Sequence, residues 1–301
     1  HFDRADGVRL NDISAVCPSS AGGIWVARGD SLMELSLVSG SPKIRKAIQL
    51  QTLLDFPIIS LSERDEYLLA GSFGDGLFIV DLKEDQLFAK VNDQSGLDNN
   101  SILDIANGRN ETWVSTMKGV HSLQFEPSPR LDALNGAPGY VYCLYAAPDG
   151  HLYVGSQGES MFVNSGNEIV PVSKNDTSSH SIISIEQDAA GRIWGLTTES
   201  QLFHYSESEV HPHPLNDQLQ KLGAYRVFIS PMGHLGLISE NALFDLTTDG
   251  IAFELLGGPA LFKSNFQNIS AVDGKNNLWL ARPDGIVLVE EHAMVSFHFP
   301  Q

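Results

Sequence analysis

The sequence is short of cysteine, of positive charge and of long apolar runs, and each shortage closes off a class of function. Two cysteines in 301 residues are too few for a disulfide framework or a structural zinc site. Sparse cysteine fits the cytosol and the bacterial periplasm alike. Lysine and arginine number 19 against 37 aspartates and glutamates, a net charge of −18. Such a surface repels phosphate backbones and anionic headgroups, which need basic residues to displace their counterions. The expectation is no nucleic-acid partner and no membrane contact by this segment. No apolar run approaches the roughly 20 residues of a membrane-spanning helix. The first residues, His1-Phe2-Asp3-Arg4, have neither the basic nor the apolar part of a secretory signal.

Turn-formers are plentiful. Twenty-seven glycines and 14 prolines are spread from end to end of a chain that is 42% hydrophobic, the composition of a packed, turn-rich globular protein. The turns recur at a fixed period. The segment NNSILDIANGRNETWVSTMKGVHSL (99–123) is matched in plan at 11–35, 180–205 and 268–289, and more weakly at 58–80, 140–163 and 225–246. Aligned on one aromatic position, the copies place Trp25, Leu68, Trp113, Tyr153, Trp194, Gly236 and Trp279 in register, at spacings of 40 to 45 residues. Seven copies account for nearly the whole chain.

Each copy reads as strands. Apolar residues alternate, as in Leu103/Ile105 and Leu77/Ile79, and β-branched and aromatic residues dominate. Pairs such as Asp149-Gly150 suit the positive-φ positions of tight hairpins. A looser fourth strand follows the third, as in QLFAKV (86–91) and AMVSFHF (293–299). Four short antiparallel strands every 40–45 residues are one blade of a β-propeller. The fold class is therefore all-β: one seven-bladed β-propeller domain over residues 1–301, with four antiparallel strands per blade. LQTLLDF (50–56) reads as strand or loop between blades rather than helix, and no segment carries a convincing helical stripe. Closure rests on packing between blades one and seven, with Phe2 adding an edge contact.

The repeat resembles the two-component regulator propeller family, whose pattern is Gly-Leu-x-x-Asn, a strand, an Asp-x-x-Gly turn, then Leu-Trp-Ile-Gly-Thr and Gly-Leu. Gly96-Leu97-Asp98-Asn99-Asn100, Trp113-Val114-Ser115-Thr116 and Gly119-Val120 carry most of it. Gly191-Arg192-Ile193-Trp194-Gly195-Leu196-Thr197 and Asn277-Leu278-Trp279-Leu280-Ala281 carry parts. Gly236 departs from it, and the Gly-His and Trp-Asp signatures of WD repeats are missing. The resemblance implies a periplasmic sensor region joined in its full-length receptor to a histidine kinase or a diguanylate cyclase, acting as a homodimer. No kinase or cyclase motif occurs in this segment, so an enzyme is not indicated, and no cofactor is expected.

Individual residues mostly read as scaffold. The four tryptophans recur at one repeat position and are expected to pack between blades. Cys17 and Cys143 belong to blades one and four, too far apart for a bridge that needs Cα atoms about 4.4–6.8 Å from each other. His211-Pro212-His213 reads as an exposed loop because no third ligand stands nearby. Asn92–Gly96 lacks the spaced acids of a calcium loop, and no Gly-x-Ser-x-Gly elbow exists.

The binding expectation is geometric. The loops leading into the inner strand of each blade, and those joining its second and third strands, meet at one propeller face, and loops on a rigid scaffold carry function. The candidate ligand-binding residues there are Arg28, Phe73, Lys118, Tyr140, Tyr142, His180, Tyr225, Arg226 and Arg282. Asn11, Asn100, Gln157, Glu199, Asn241 and Asn268 stand at equivalent places. Aromatics, amides and scarce cations suit a small-molecule or oligosaccharide ligand. A propeller lyase or hydrolase acting on a glycan or lactone, and a protein-interaction platform, are the alternatives.

Overall fold

The computed structural model describes residues 13–50, 54–125, 130–165, 168–173, 180–206, 209–230, 233–239, 243–247, 250–254, 270–275, 277–282, 285–290 and 293–298. Seven four-stranded sheets follow one another, spanning 15–49, 58–91, 102–133, 141–171, 182–212, 224–254 and 270–298. Strand order within each is sequential, and neighbouring strands pair antiparallel. The fold is a seven-bladed β-propeller. The fourth strands read from QLFAKV and AMVSFHF are Gln86–Val91 and Ala293–His298.

Two compact units make up the chain, 1–105 with 264–301, and 106–263. In the first, the inner strand of blade seven (Ser270–Val272) lies beside that of blade one (Ala15–Pro18), the closing contact that the sequence led us to expect. Phe2 falls outside the described residues.

The alternating pattern decides what each blade buries. Trp25 and Ala27 of blade one pack with Leu68, Ala70 and Phe78 of blade two. In the second unit Trp113 meets Val141 and Val154 of blade four, and Trp194 meets Val227 and Leu237 of blade six. All four tryptophans are buried. At 25 cal/mol per Å2, hiding a ring of about 150–250 Å2 is worth about 4–6 kcal/mol. That makes these rings the main mortar between blades.

The indole N–H needs an acceptor once buried, and in blades five and seven an aspartate that opens the turn between the first two strands supplies it. Asp188 accepts from Trp194 Nε1 at 2.8 Å and from the backbone N–H groups of Ala190 and Arg192. Asp273 accepts from Trp279 Nε1 at 2.8 Å and from the N–H groups of Lys275 and Asn277. Blade one has no aspartate in this turn. There Trp25 donates 2.7 Å to Glu63, which comes from blade two.

Two readings need correction. Ser72 of blade two sits where Thr197 ends the second strand of blade five, each facing the first residue of its inner strand. The aromatic position of blade two is therefore Leu69, not Leu68, because its second strand (Tyr67–Ser72) is one residue longer. A helix does occur, over Asn216–Leu222 between blades five and six. Asp217 in its first turn, Lys221 in its last and Gly223 in the left-handed C-cap match the helix dipole and end. Seven residues are too few for a periodic stripe to stand out, and packing of Leu215, Leu219 and Leu222 stabilises it. Of the segment 50–56, residues 51–53 lie outside the described residues and the others are irregular.

Cys17 and Cys143 are both buried free thiols. Burial pushes the Cys17 thiol up, and the nearby charge of Glu63 adds to the shift. Cys143 directs its Sγ at the Ile182 carbonyl of the next blade, 3.7 Å away.

Candidate functional site

Two places concentrate chemistry. The first is the blade end where the inner strand begins and the second strand finishes. A buried hydroxyl closes the second strand here in several blades, and its oxygen accepts from the loop that follows. Thr116 accepts from the N–H groups of Lys118 and Gly119, Ser72 from those of Gly74 and Asp75, and Thr197 from those of Glu199 and Gln201. This is the physical content of the Trp-x-x-Thr spacing: the ring anchors the strand, and the hydroxyl three residues on shapes the loop.

Backbone hydrogen bonds then tie the loop ends of adjacent blades together. Tyr140 donates its N–H to Met117 and accepts from Gln157, both at 3.1 Å. Ser160 donates to the His180 carbonyl at 2.9 Å, and Gly158 N–H meets the Ser181 hydroxyl at 3.0 Å. In the other unit Ser101 Oγ donates 2.6 Å to the Phe73 carbonyl, and Phe73 N–H reaches Pro57.

Against this frame the predicted residues separate. Tyr140 has a φ of +51°, a conformation that a bulky side chain adopts only when its surroundings hold it there. Its ring meets Tyr142 edge-on at 5.1 Å. The inner strands of blades two, four, five and six each carry a bulge near their start, between Ile58 and Ser60, Val141 and Cys143, Ile182 and Ser184, and Ala224 and Arg226. The extra residue is Ile59, Tyr142, Ile183 or Tyr225. The bulge belongs to the blade plan, and it re-aims two of the predicted aromatics. No sequence signal had marked it.

Burial, and the neighbouring Tyr140, hold the Tyr142 hydroxyl above the usual range. His180 is half-buried with its ring 5.2 Å from Phe203. Glu199 accepts from the Thr198 hydroxyl at 2.6 Å, which with the nearby His180 keeps its carboxyl below the usual range. Lys118 and Phe73 are exposed, and Arg28 is half-buried at the end of its strand.

Arg226 stands apart from the loop residues. It pairs with Ile238 inside the ladder, and its charge acts on Glu186 of blade five. Burial of the Glu186 carboxyl nonetheless wins over that attraction, and its pKa is pushed up to about 7. Arg282 ends the second strand of blade seven, paired with Gly285, and its side chain lies outside what is described. Asn11, Asn241 and Asn268 fall outside the described residues.

The second place is a groove of about 520 Å3 at the opposite end of blade five, bounded by blade six. Asp188, Arg192, Trp194, His204, His213 and His234 supply its polar and aromatic walls, with prolines, alanines and leucines completing it. The Arg192 guanidinium lies 5.3 Å over the Trp194 ring while its Nε donates 2.7 Å to Asp188. Burial works against the Asp188 charge, but the hydrogen bonds from Trp194 and Arg192 outweigh it and hold the carboxyl low. His204 lies 4.9 Å from the same indole and stacks on His211 at 4.8 Å, so the His-Pro-His segment is strand and groove wall rather than free loop. Burial and neighbouring positive charge lower both His204 and His213. Among the described residues no three ligand side chains converge to hold a metal ion.

Among the described residues no helix is long and apolar enough to cross a membrane. No protein-family model and no curated protein matches the sequence. Solved structures do match in shape. The extracellular domain of the hybrid two-component system BT4673 from B. thetaiotaomicron is 18% identical, with a TM-score of 0.69 over 94% of this chain and 38% of that one. That of BT3049 from the same organism is 14% identical, with a TM-score of 0.69 over 95% and 40%. The virginiamycin B lyase of Staphylococcus aureus, solved with quinupristin, is 14% identical, with a TM-score of 0.71 over 93% and 95%. The chain thus spans about two fifths of the length of the two-component ectodomains it matches. What it shares with them is the seven-bladed propeller fold, consistent with the two-component regulator propeller repeat that its sequence resembles.

Proposed function

We propose that this chain is an extracytoplasmic sensor region of a bacterial membrane receptor, non-catalytic in itself. In this reading it binds a small molecule or sugar fragment at the blade ends that carry Lys118, Tyr140, Tyr142, His180 and Tyr225. Arg28, Phe73 and Arg282 stand at the same end of their own blades, and Arg226 backs the site beside Glu186. The observation that carries the reading is Tyr140: a non-glycine residue held at φ +51° on a loop laced to both neighbouring blades, its ring against the bulged Tyr142. Strain of this kind persists where the surroundings fix it and is concentrated at binding sites. Two crossed tyrosine rings with fixed amides nearby are a stacking platform with directed hydrogen bonds, which suits the apolar face and hydroxyl edge of a sugar. The likeness to two-component ectodomains supports a receptor context. Ligand binding then biases the arrangement of a homodimeric receptor, in proportion to its unequal affinity for the two states.

A thermal-shift screen of the intact chain against sugars, oligosaccharides and amino acids tests this, because a ligand of the folded state raises its apparent stability. The expected result is a saturable shift with the compound recovered unchanged, abolished by Tyr142→Ala. A shift followed by consumption of the compound supports the lyase reading instead, which the fold of the virginiamycin B lyase keeps in view. A hit that Tyr142→Ala leaves untouched overturns the site.

A further inference from the structure

The groove of blades five and six is built for a ligand of one charge. The titratable and charged groups that face it are Asp188, Arg192, His204, His213 and His234, with His211 stacked behind His204. Asp188 has no capacity left to spare. One oxygen takes the N–H groups of Ala190 and Arg192, and the other takes Arg192 Nε and Trp194 Nε1. Arg192 uses only Nε in that pairing. Its two terminal nitrogens have no partner among the described residues, and the side chain is 42% exposed.

The histidines are poised in the same sense. His213 Nδ1 accepts from the Leu215 N–H at 3.2 Å, so in the neutral ring its proton sits on Nε2, a donor. Among the described residues no hydrogen bond holds the ring nitrogens of His204 or His211, whose contacts are with rings. The groove therefore offers donors and latent cations, while Asp188, its one acid among the described residues, is already paired, in a chain whose net charge is −18. The remaining walls, Ala189, Pro212, Pro214, Leu235 and Leu246, are apolar. A volume of about 520 Å3 falls in the range of small-molecule sites, about 300–1,000 Å3.

We propose that this groove is a second binding site, separate from the tyrosine-bearing blade ends, for a small organic anion: a carboxylate on a planar or apolar body. The carboxylate meets the terminal nitrogens of Arg192 and the imidazole N–H groups, while the body lies along the leucine and proline walls. Arginine matches a carboxylate with two parallel donors, and a bound anion favours the protonated form of adjacent imidazoles. Binding is therefore coupled to proton uptake by His204 and His213, both held below their usual value in the free protein.

Histidine ring signals in NMR spectra of the intact chain, titrated with sodium benzoate as the probe, test the assignment. Benzamide serves as the uncharged isostere and sodium phosphate as the anion without an apolar body. Saturable movement of the His204 and His213 signals is expected with benzoate, tightening about threefold from pH 7.5 to pH 5.5. Benzamide and phosphate are expected to bind about tenfold more weakly, and Arg192→Gln to weaken benzoate about tenfold while Lys43→Gln leaves it unchanged. Equal binding of benzamide removes the charge argument, and equal binding of phosphate removes the apolar body. Either result, or no movement of the two imidazoles, overturns the proposal without any variant having to fold. Neither outcome bears on the tyrosine site, which lies at the other end of the blades.

Discussion

Blades five and six share a plan and differ in where they keep their bulk. In blade five Trp194 stands on the second strand, opposite Glu186 of the inner strand. In blade six the second strand has Gly236, opposite Phe228 of the inner strand. A Cβ on Gly236 would come within 2.4 Å of the Phe228 ring. The aromatic ring has crossed the hairpin, and both Phe228 and Trp194 are buried. What the repeat preserves is a filled layer between neighbouring blades, because a void there forfeits dispersion contacts and buried area together. It does not preserve the residue that fills it. Gly236, which departs from the repeat pattern, is thus a compensated exchange rather than a weak blade.

The comparison can be broken most severely by restoring the missing ring. Gly236→Trp places an indole against Phe228 and is expected to cost about 3 kcal/mol or more. Phe228→Ala alone costs about 3 kcal/mol. The pair together is expected to cost clearly less than the sum, because each change makes room for the other, and a denaturant double-mutant cycle reads this directly. Additive costs would show that the two positions do not share one volume.

The next largest effect lies in the acid braces. Asp273 is 6% exposed and accepts from Trp279, Lys275 and Asn277. Asp273→Ala leaves these donors unpaired and is expected to cost about 2–3 kcal/mol in chemical denaturation. Blade one sets a contrast, since the acceptor for Trp25 is Glu63 of the next blade.

The partner of Trp194 across the strand gives a pH-dependent test. The Glu186 carboxyl has its pKa raised from 4.5 to about 7 in the folded state. A raised acid favours the folded state while protonated, so its contribution is complete below the unfolded pKa. It is lost as pH rises through the folded one. Glu186→Gln removes that loss: the variant is expected to match the wild type near pH 4 and to exceed it by about 1–2 kcal/mol near pH 8. Melting curves at the two pH values decide it, and a variant weaker at both would place the Arg226 attraction above the cost of burial. The smallest effect is expected from Glu63→Gln. An amide oxygen can still accept from Trp25, so about 0.5–1 kcal/mol is the expected loss, again from denaturation midpoints.

Strand positions and their number were legible because alternation, β-branched residues and Gly or Asp turns act within a few residues. Gln86–Val91 and Ala293–His298 appear where their patterns put them. The one-residue misplacement in blade two has the same origin: Leu68 and Leu69 are alike as residues, and only Ser72, facing Ile58, fixes which one takes the ring's place. Most of the predicted site residues do stand at the loop end of their blades. The bulges that present Tyr142 and Tyr225 were invisible, because a bulge is a mismatch between two strands and neither strand carries it alone. Arg226, a rare cation at a strand start, lies one position past that bulge, and its charge acts on Glu186.

The sequence by itself determined the seven-fold repeat, the four strands in each copy and the buried ring of most blades, since these follow from local periodicity and apolar spacing. Only the tertiary structure decided which acid satisfies which indole, which residue each bulge extrudes, and that Asp188, Arg192, His204, His213 and His234 wall one groove. Those residues span more than forty positions of chain. Nothing short of the packing of blade six on blade five brings them within reach of a single ligand, because contacts between blades join residues that no local pattern relates.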